Sequence, residues 1–153
     1  MVAVAFRQAL AGHVEWSVRN HLHFHYGDVR PVPVNEPPRH LPVITDGFGF
    51  VVLMAKWAGA GDPAGKHFSG LGTIGDILQS QQRVPLQGSL PADLAVFGDW
   101  PGEHVVILLE DGHVGDPLVA SFAFEGGPVK HRLSVESSWF SRRTPLTFLR
   151  LPG

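Results

Sequence analysis

The chain has 153 residues, 44% of them hydrophobic, enough for one compact domain over 1–153 with its own core and too few for two. Its 12 basic and 14 acidic residues give a formal charge of -2, so no excess of Lys and Arg is present to neutralise a phosphate backbone and nucleic acid is not an expected partner. The absence of cysteine excludes disulfides, thiolate metal sites and a cysteine nucleophile.

The apolar positions Val4, Ala5, Leu10, Ala11, Val14 and Val18 recur at helical offsets and predict an amphipathic helix over Val4 to His21, weakened at Gly12. Met1 to Leu10 carries Arg7 and Gln8 without a basic leader or a clear cleavage site, and it reads as mature sequence. No run reaches the roughly 18 to 20 apolar residues of a spanning helix, so a soluble chain without membrane insertion is expected. His21, His23 and His25 alternate with Leu22, Phe24 and Tyr26 up to Gly27. On a strand the three imidazoles would share one face, as metal ligands do, although no carboxylate stands at a telling spacing and an extended edge or linker explains the alternation equally.

Five prolines between Val29 and Pro42 predict an extended surface crossing. A second helix is expected from Asp46 or Gly47 to Ala58, N-capped by Asp46 and ended by Gly59. Its Phe48, Val51, Val52, Ala55 and Trp57 make it apolar on most sides, which implies burial. The glycines from Gly70 to Gly75 spell half of a dinucleotide fingerprint, but no strand precedes them and the reading is discarded. Thr73 to Gln82 reads as a short third helix capped by Thr73.

After Pro85 the period changes to two. Leu94–Phe97, His104–Leu109, Leu118–Phe124, Val129–Val135 and Leu146–Leu151 are short apolar or alternating runs separated by Gly, Pro and Asp clusters. They predict an α+β fold in which N-terminal helices pack on one face of a five-stranded antiparallel meander. Trp16 and Trp57 are expected in the core, and Trp100, in a Gly-Asp-Trp-Pro-Gly turn, on the surface.

Asp46-Gly47-Phe48-Gly49-Phe50-Val51 resembles the Asp-Cys-Ser-Gly-Phe-Val signature of the NlpC-type family of papain-like cell-wall peptidases. Pro91-Ala92-Asp93-Leu94-Ala95-Val96-Phe97, followed by His104 at the head of the next run, is similar to the family's second signature, and Tyr26 matches a tyrosine usual ahead of the first. Asp116 to Ser121, Arg132 to Glu136 and Phe148 to Pro152 resemble versions carried by phages of actinobacteria. The resemblance covers nearly the whole chain and implies a papain-like fold around a cleft.

By the same resemblance Gly47 takes the nucleophile's place, His104 the general base's, and Phe122 that of the residue orienting the imidazole. A papain-like site needs a thiolate at a helix N-terminus beside a histidine. Gly47 offers no side chain, and a phenylalanine ring neither donates nor accepts the orienting bond. Phe48 sets a large ring where a small residue is usual. Loss of the nucleophile from such a unit costs about six orders of magnitude in turnover. The expectation is therefore a pseudoenzyme without cofactor, kept as a structural or binding module in a phage particle or tail that contacts the cell envelope. Its partners would be other particle proteins, with peptidoglycan as an alternative. A residual hydrolase using metal-assisted chemistry through His21, His23 or His25 is the remaining alternative.

Overall fold

A computed structural model describes residues 2–32, 41–140 and 144–152. The chain opens with helix α1, Val2–Arg19, which packs Phe6, Leu10 and Val14 into the main core. A single 3-10 turn, His21–His23, leads to strand β1, Phe24–Tyr26, which pairs in parallel with β2, Val43–Thr45. Part of the proline-rich crossing, 33–40, lies outside the described residues.

Helix α2, Gly47–Ala58, is the central element. Gly49 N–H donates to Asp46 Oδ1 at 2.8 Å, and Gly59 closes the helix in the left-handed conformation at φ 80°. Ten of its twelve residues are buried, because α1 covers one side while the sheet covers the other. Trp57 is buried and meets Trp16 edge-on at 5.8 Å. Helix α3, Ile74–Ser80, is fixed by a capping box between Thr73 and Asp76.

Among the described residues the main sheet has six antiparallel strands, not five. They are β3, Arg83–Val84; β4, Leu94–Phe97; β5, His104–Leu108; β6, Leu118–Ser121; β7, Val129–Arg132; and β8, Leu146–Leu149. Their order is β3-β8-β4-β5-β6-β7, so β4 to β7 form the expected meander while the last strand returns to lie between β3 and β4. The extra strand is a two-residue edge, too short for periodicity to register.

The expectation that helices cover one face also needs correction. Residues Val129 to Val135 do not form one strand: the chain leaves β7 after Arg132 and turns into helix α4, Leu133–Ser137. With Phe140, this helix covers the sheet face opposite α2, over Ala95, Phe97, Val106, Leu108 and Val119. Both faces of β4 and β5 are therefore buried, which is why those strands read as continuous apolar runs.

Asp93 ties the two ends of the chain together. Fully buried, it meets Arg7 Nη1 at 3.0 Å and Arg150 Nε at 3.1 Å, and it accepts from Leu90 N–H and Leu151 N–H. Arg150 Nε approaches without the alignment of a hydrogen bond, so Arg7 is its better-directed charged partner.

Candidate functional site

The start of α2 and the start of β5 meet at a groove of about 330 Å³. Tyr26, Arg30, Asp46, Gly47, Phe48, Glu103 and His104 line it, together with Thr73, Ile74, Pro101 and Gly102. Gly102, at φ 80°, makes the turn that delivers His104 to the groove.

Gly47 faces this histidine. A Cβ added at Gly47 would lie 3.7 Å from both Nδ1 and Cε1 of His104, but only 2.8 Å from the carbonyl oxygen of Phe122. A side chain at position 47 therefore requires the backbone after β6 to move. The start of α2 and His104 thus meet, with the Phe122 carbonyl oxygen closing on position 47 from a third side.

The polar partners of His104 come from elsewhere than Phe122. Its Nε2 lies 2.5 Å from Glu136 Oε1 and 3.2 Å from Ser121 Oγ, and the Ser121 hydroxyl donates to the same carboxylate oxygen at 2.7 Å. Glu136 Oε2 accepts from His131 Nε2. The Phe122 ring turns to the opposite side, packed edge-on against Phe24, Tyr26 and Phe50. Successive residues leaving a strand point to opposite sides, so the one-residue step from Ser121 to Phe122 exchanges a hydroxyl for a core ring. The imidazole thus has a carboxylate and a hydroxyl beside it, contrary to the expectation of a lost orienting group.

Burial pushes the Glu136 carboxyl upward. Hydrogen bonds from His104, Ser121 and His131, with the charge of His104, outweigh that and hold it below the usual glutamate range. An ionised carboxylate only accepts, so His104 Nε2–H donates to it, while Nδ1 lies on the side of Gly47. The ring stacks on Phe140, with centroids 5.7 Å apart. Ser121, His104 and Glu136 do not form a serine triad. A serine triad uses both nitrogens of its histidine, whereas Ser121 and Glu136 share Nε2, and Ser121 is buried.

At the other side of the groove Asp46 serves two groups, capping Gly49 and accepting from Arg30 Nη2 at 3.0 Å. Arg30 also pairs with Asp28 at 3.1 Å and lies over the Phe48 ring, 5.3 Å from its centroid. Phe48 is buried, so its ring is a wall of the groove rather than a plug standing free in it. Burial raises the Tyr26 hydroxyl pKa first, and the Asp46 and Asp28 carboxylates raise it further against the opposing charge of Arg30.

The three alternating histidines do not converge. His21 and His23 belong to the 3-10 turn, so the shared strand face does not form. His21 Nδ1 lies 3.0 Å from the Gly126 carbonyl oxygen, and His25 Nδ1 lies 3.0 Å from Glu125 Oε1. Among the described residues no group of three His, Cys, Asp or Glu is arranged to hold a metal ion. Glu136 was not legible as part of the site: it lies 32 residues from His104, in a stretch whose alternation resembles a strand.

This α+β arrangement, a capped central helix facing a strand-borne histidine, is an NlpC-like fold. Among solved structures the chain is similar to the peptidoglycan hydrolase RipB of Mycobacterium tuberculosis, with 15% identity and a TM-score of 0.53 over 96% of this chain and 67% of that one. RipD of Mycobacterium tuberculosis, described as a non-catalytic NlpC/p60 domain protein adapted to peptidoglycan binding, matches with 14% identity and a TM-score of 0.47 over 92% of this chain and 96% of that one. No protein-family model and no curated protein sequence matches the chain.

Proposed function

We propose that the chain is a single, non-catalytic NlpC-like domain that works as a binding or structural module, with the groove beside Gly47 as its contact surface. The observation that carries this reading is the juxtaposition at Gly47. The position facing His104 has no side chain, and the Phe122 carbonyl occupies the space a Cβ would need. A base without a nucleophile has nothing to activate, and no cysteine exists elsewhere in the chain. The fold alone carries no activity, so the reading rests on the chemistry of this site.

The cell envelope is the contact we propose, because the groove retains polar and aromatic walls around the place where a peptidase would hold a peptide. The resemblance of Asp116 to Ser121 and of the C-terminal stretch to phage-borne domains adds the context of a virion or tail component acting at the outer face of the envelope. Co-sedimentation with purified sacculi tests the module directly. Retention in the pellet, weakened by Arg30→Ala at the groove wall, supports envelope contact. A protein that stays in the supernatant leaves only the structural role, and release of stem peptides overturns the whole reading.

A further inference from the structure

We propose that Trp100 is a stacking platform for a sugar ring of a glycan strand, placed so that the peptide carried by that strand reaches the groove lined by Tyr26 and His104. The inference rests on the reading of the groove as an envelope contact and names the part of the envelope that lies outside it.

Trp100 stands in the turn between β4 and β5 and is 64% exposed, more than any other aromatic residue described. Trp16 and Trp57 meet each other, and Trp139 meets Phe124 and His131, whereas Trp100 has no aromatic partner among the described residues. Leaving an indole in water forgoes the burial of the largest side chain. The ring still has a fixed support. Gly75, in the first turn of α3, lies against it: a Cβ there would stand 2.8 Å from Trp100 Nε1 and 3.3 Å from Cε2. Glycine is a poor helix former, and its use here lets the indole rest on α3 with the remaining surface open to solvent. A ring already in place loses little freedom when a ligand arrives.

Position links this ring to the groove. The groove of about 330 Å³ and an adjoining recess of about 490 Å³ share Pro101, Gly102 and Glu103 as a common wall, and Trp100 lines the recess. A ligand crossing that wall passes from His104 to the indole. The peptide of a cell-wall strand is bonded to a sugar, so a peptide held in the groove brings a sugar ring to the wall. The recess also offers Asp99, Glu103 and Thr144, and no lysine or arginine lines it. Neither carboxylate has a hydrogen bond or ion pair among the described residues, so both are open to donors from a ligand.

An apolar ring face beside open acceptors fits a pyranose, which presents C–H groups on its faces and hydroxyl donors around its rim. A purely apolar partner would desolvate the two carboxylates without pairing them, and an anion would meet like charges. A cationic side chain could use the same carboxylates, but ion pairs at exposed positions contribute little, whereas stacking uses the whole indole face.

The test uses the full chain with four probes: chitotetraose, lysine amide, a disaccharide-tetrapeptide from cell wall, and the tetrapeptide alone. NMR of the Trp100 indole N–H, identified by its loss in Trp100→Ala, reports the site. Chitotetraose is expected to shift that resonance, and lysine amide to leave it in place. The disaccharide-tetrapeptide is expected to bind at least about tenfold more tightly than the tetrapeptide. Trp100→Ala should erase this advantage, and Trp100→Phe, which keeps a ring beside Gly75, should retain part of it. An unmoved indole resonance, a larger shift with lysine amide, or an advantage that survives in Trp100→Ala overturns the proposal. Tetrapeptide binding with no gain from the sugar removes this inference and leaves the groove as an envelope contact. No binding of either peptide at about 10 mM removes that contact as well, and cleavage of the tetrapeptide removes the non-catalytic module itself.

Discussion

Glu136→Gln perturbs the one buried carboxylate that joins three elements. Glu136 is fully buried and accepts from His104 on β5, Ser121 on β6 and His131 on β7. The amide keeps one oxygen and turns two donors toward groups that are themselves donors, so at least one imidazole N–H loses its acceptor in either orientation. Hydrogen bonds to charged groups contribute about 1.5–3 kcal/mol each, and removing one partner of a buried charged pair costs about 3–5 kcal/mol. For a chain of this size each kcal/mol moves the melting temperature by about 2–4 °C, so a fall of about 6–20 °C is expected. The pH dependence gives the sign. The Glu136 carboxyl is held below its usual range, so its contribution is complete above the ordinary glutamate value of about 4.3 and is lost as pH falls through the lower folded value. Thermal melts of wild type and variant should therefore be far apart at about pH 7 and draw together as pH falls below the ordinary glutamate value of about 4.3. A difference under about 2 °C at neutral pH, or one that does not shrink in acid, would refute the reasoning.

Asp93→Ala leaves the Arg7 and Arg150 heads facing a buried gap and should cost about 3–5 kcal/mol in urea unfolding; a loss below about 1 kcal/mol would show that the two ends are held otherwise. Gly47→Ala should destabilise by about 1–3 kcal/mol through the contact with the Phe122 carbonyl, and an unchanged midpoint would mean that this backbone yields freely. Gly47→Cys combined with Phe48→Ser and Phe122→His is expected to release no stem peptide from sacculi, because the carbonyl still obstructs position 47 and the Phe122 side chain points away from His104. Asp46→Ala removes the cap of α2 and one of the two carboxylates paired with Arg30, for an expected loss of about 0.5–2 kcal/mol read by chemical denaturation.

What the sequence disclosed was mostly local. The bounds of α2 followed from Asp46 and Gly59, and α3 from its Thr73 cap, because capping is settled within a few residues. The meeting of Gly47 with His104 was legible through motif order, which stands for a contact that spacing alone does not reveal. Two features escaped for physical reasons. Arg83–Val84 is a strand only because β8 returns beside it, and Leu133–Ser137 is a helix although its neighbours alternate, since Leu133 is buried on the far face of the sheet. The polar side of the site escaped with them. Phe122 was expected beside His104, but Ser121 holds that place, and Glu136 reaches the imidazole from α4 across a tertiary contact.

The central proposal is that this domain does not cut peptidoglycan. Incubating the purified full chain with sacculi, and measuring soluble stem peptides by mass spectrometry over time, tests it most directly. The account predicts no release above the protein-free control. Release that grows with time and protein concentration, and disappears in His104→Ala, would contradict it.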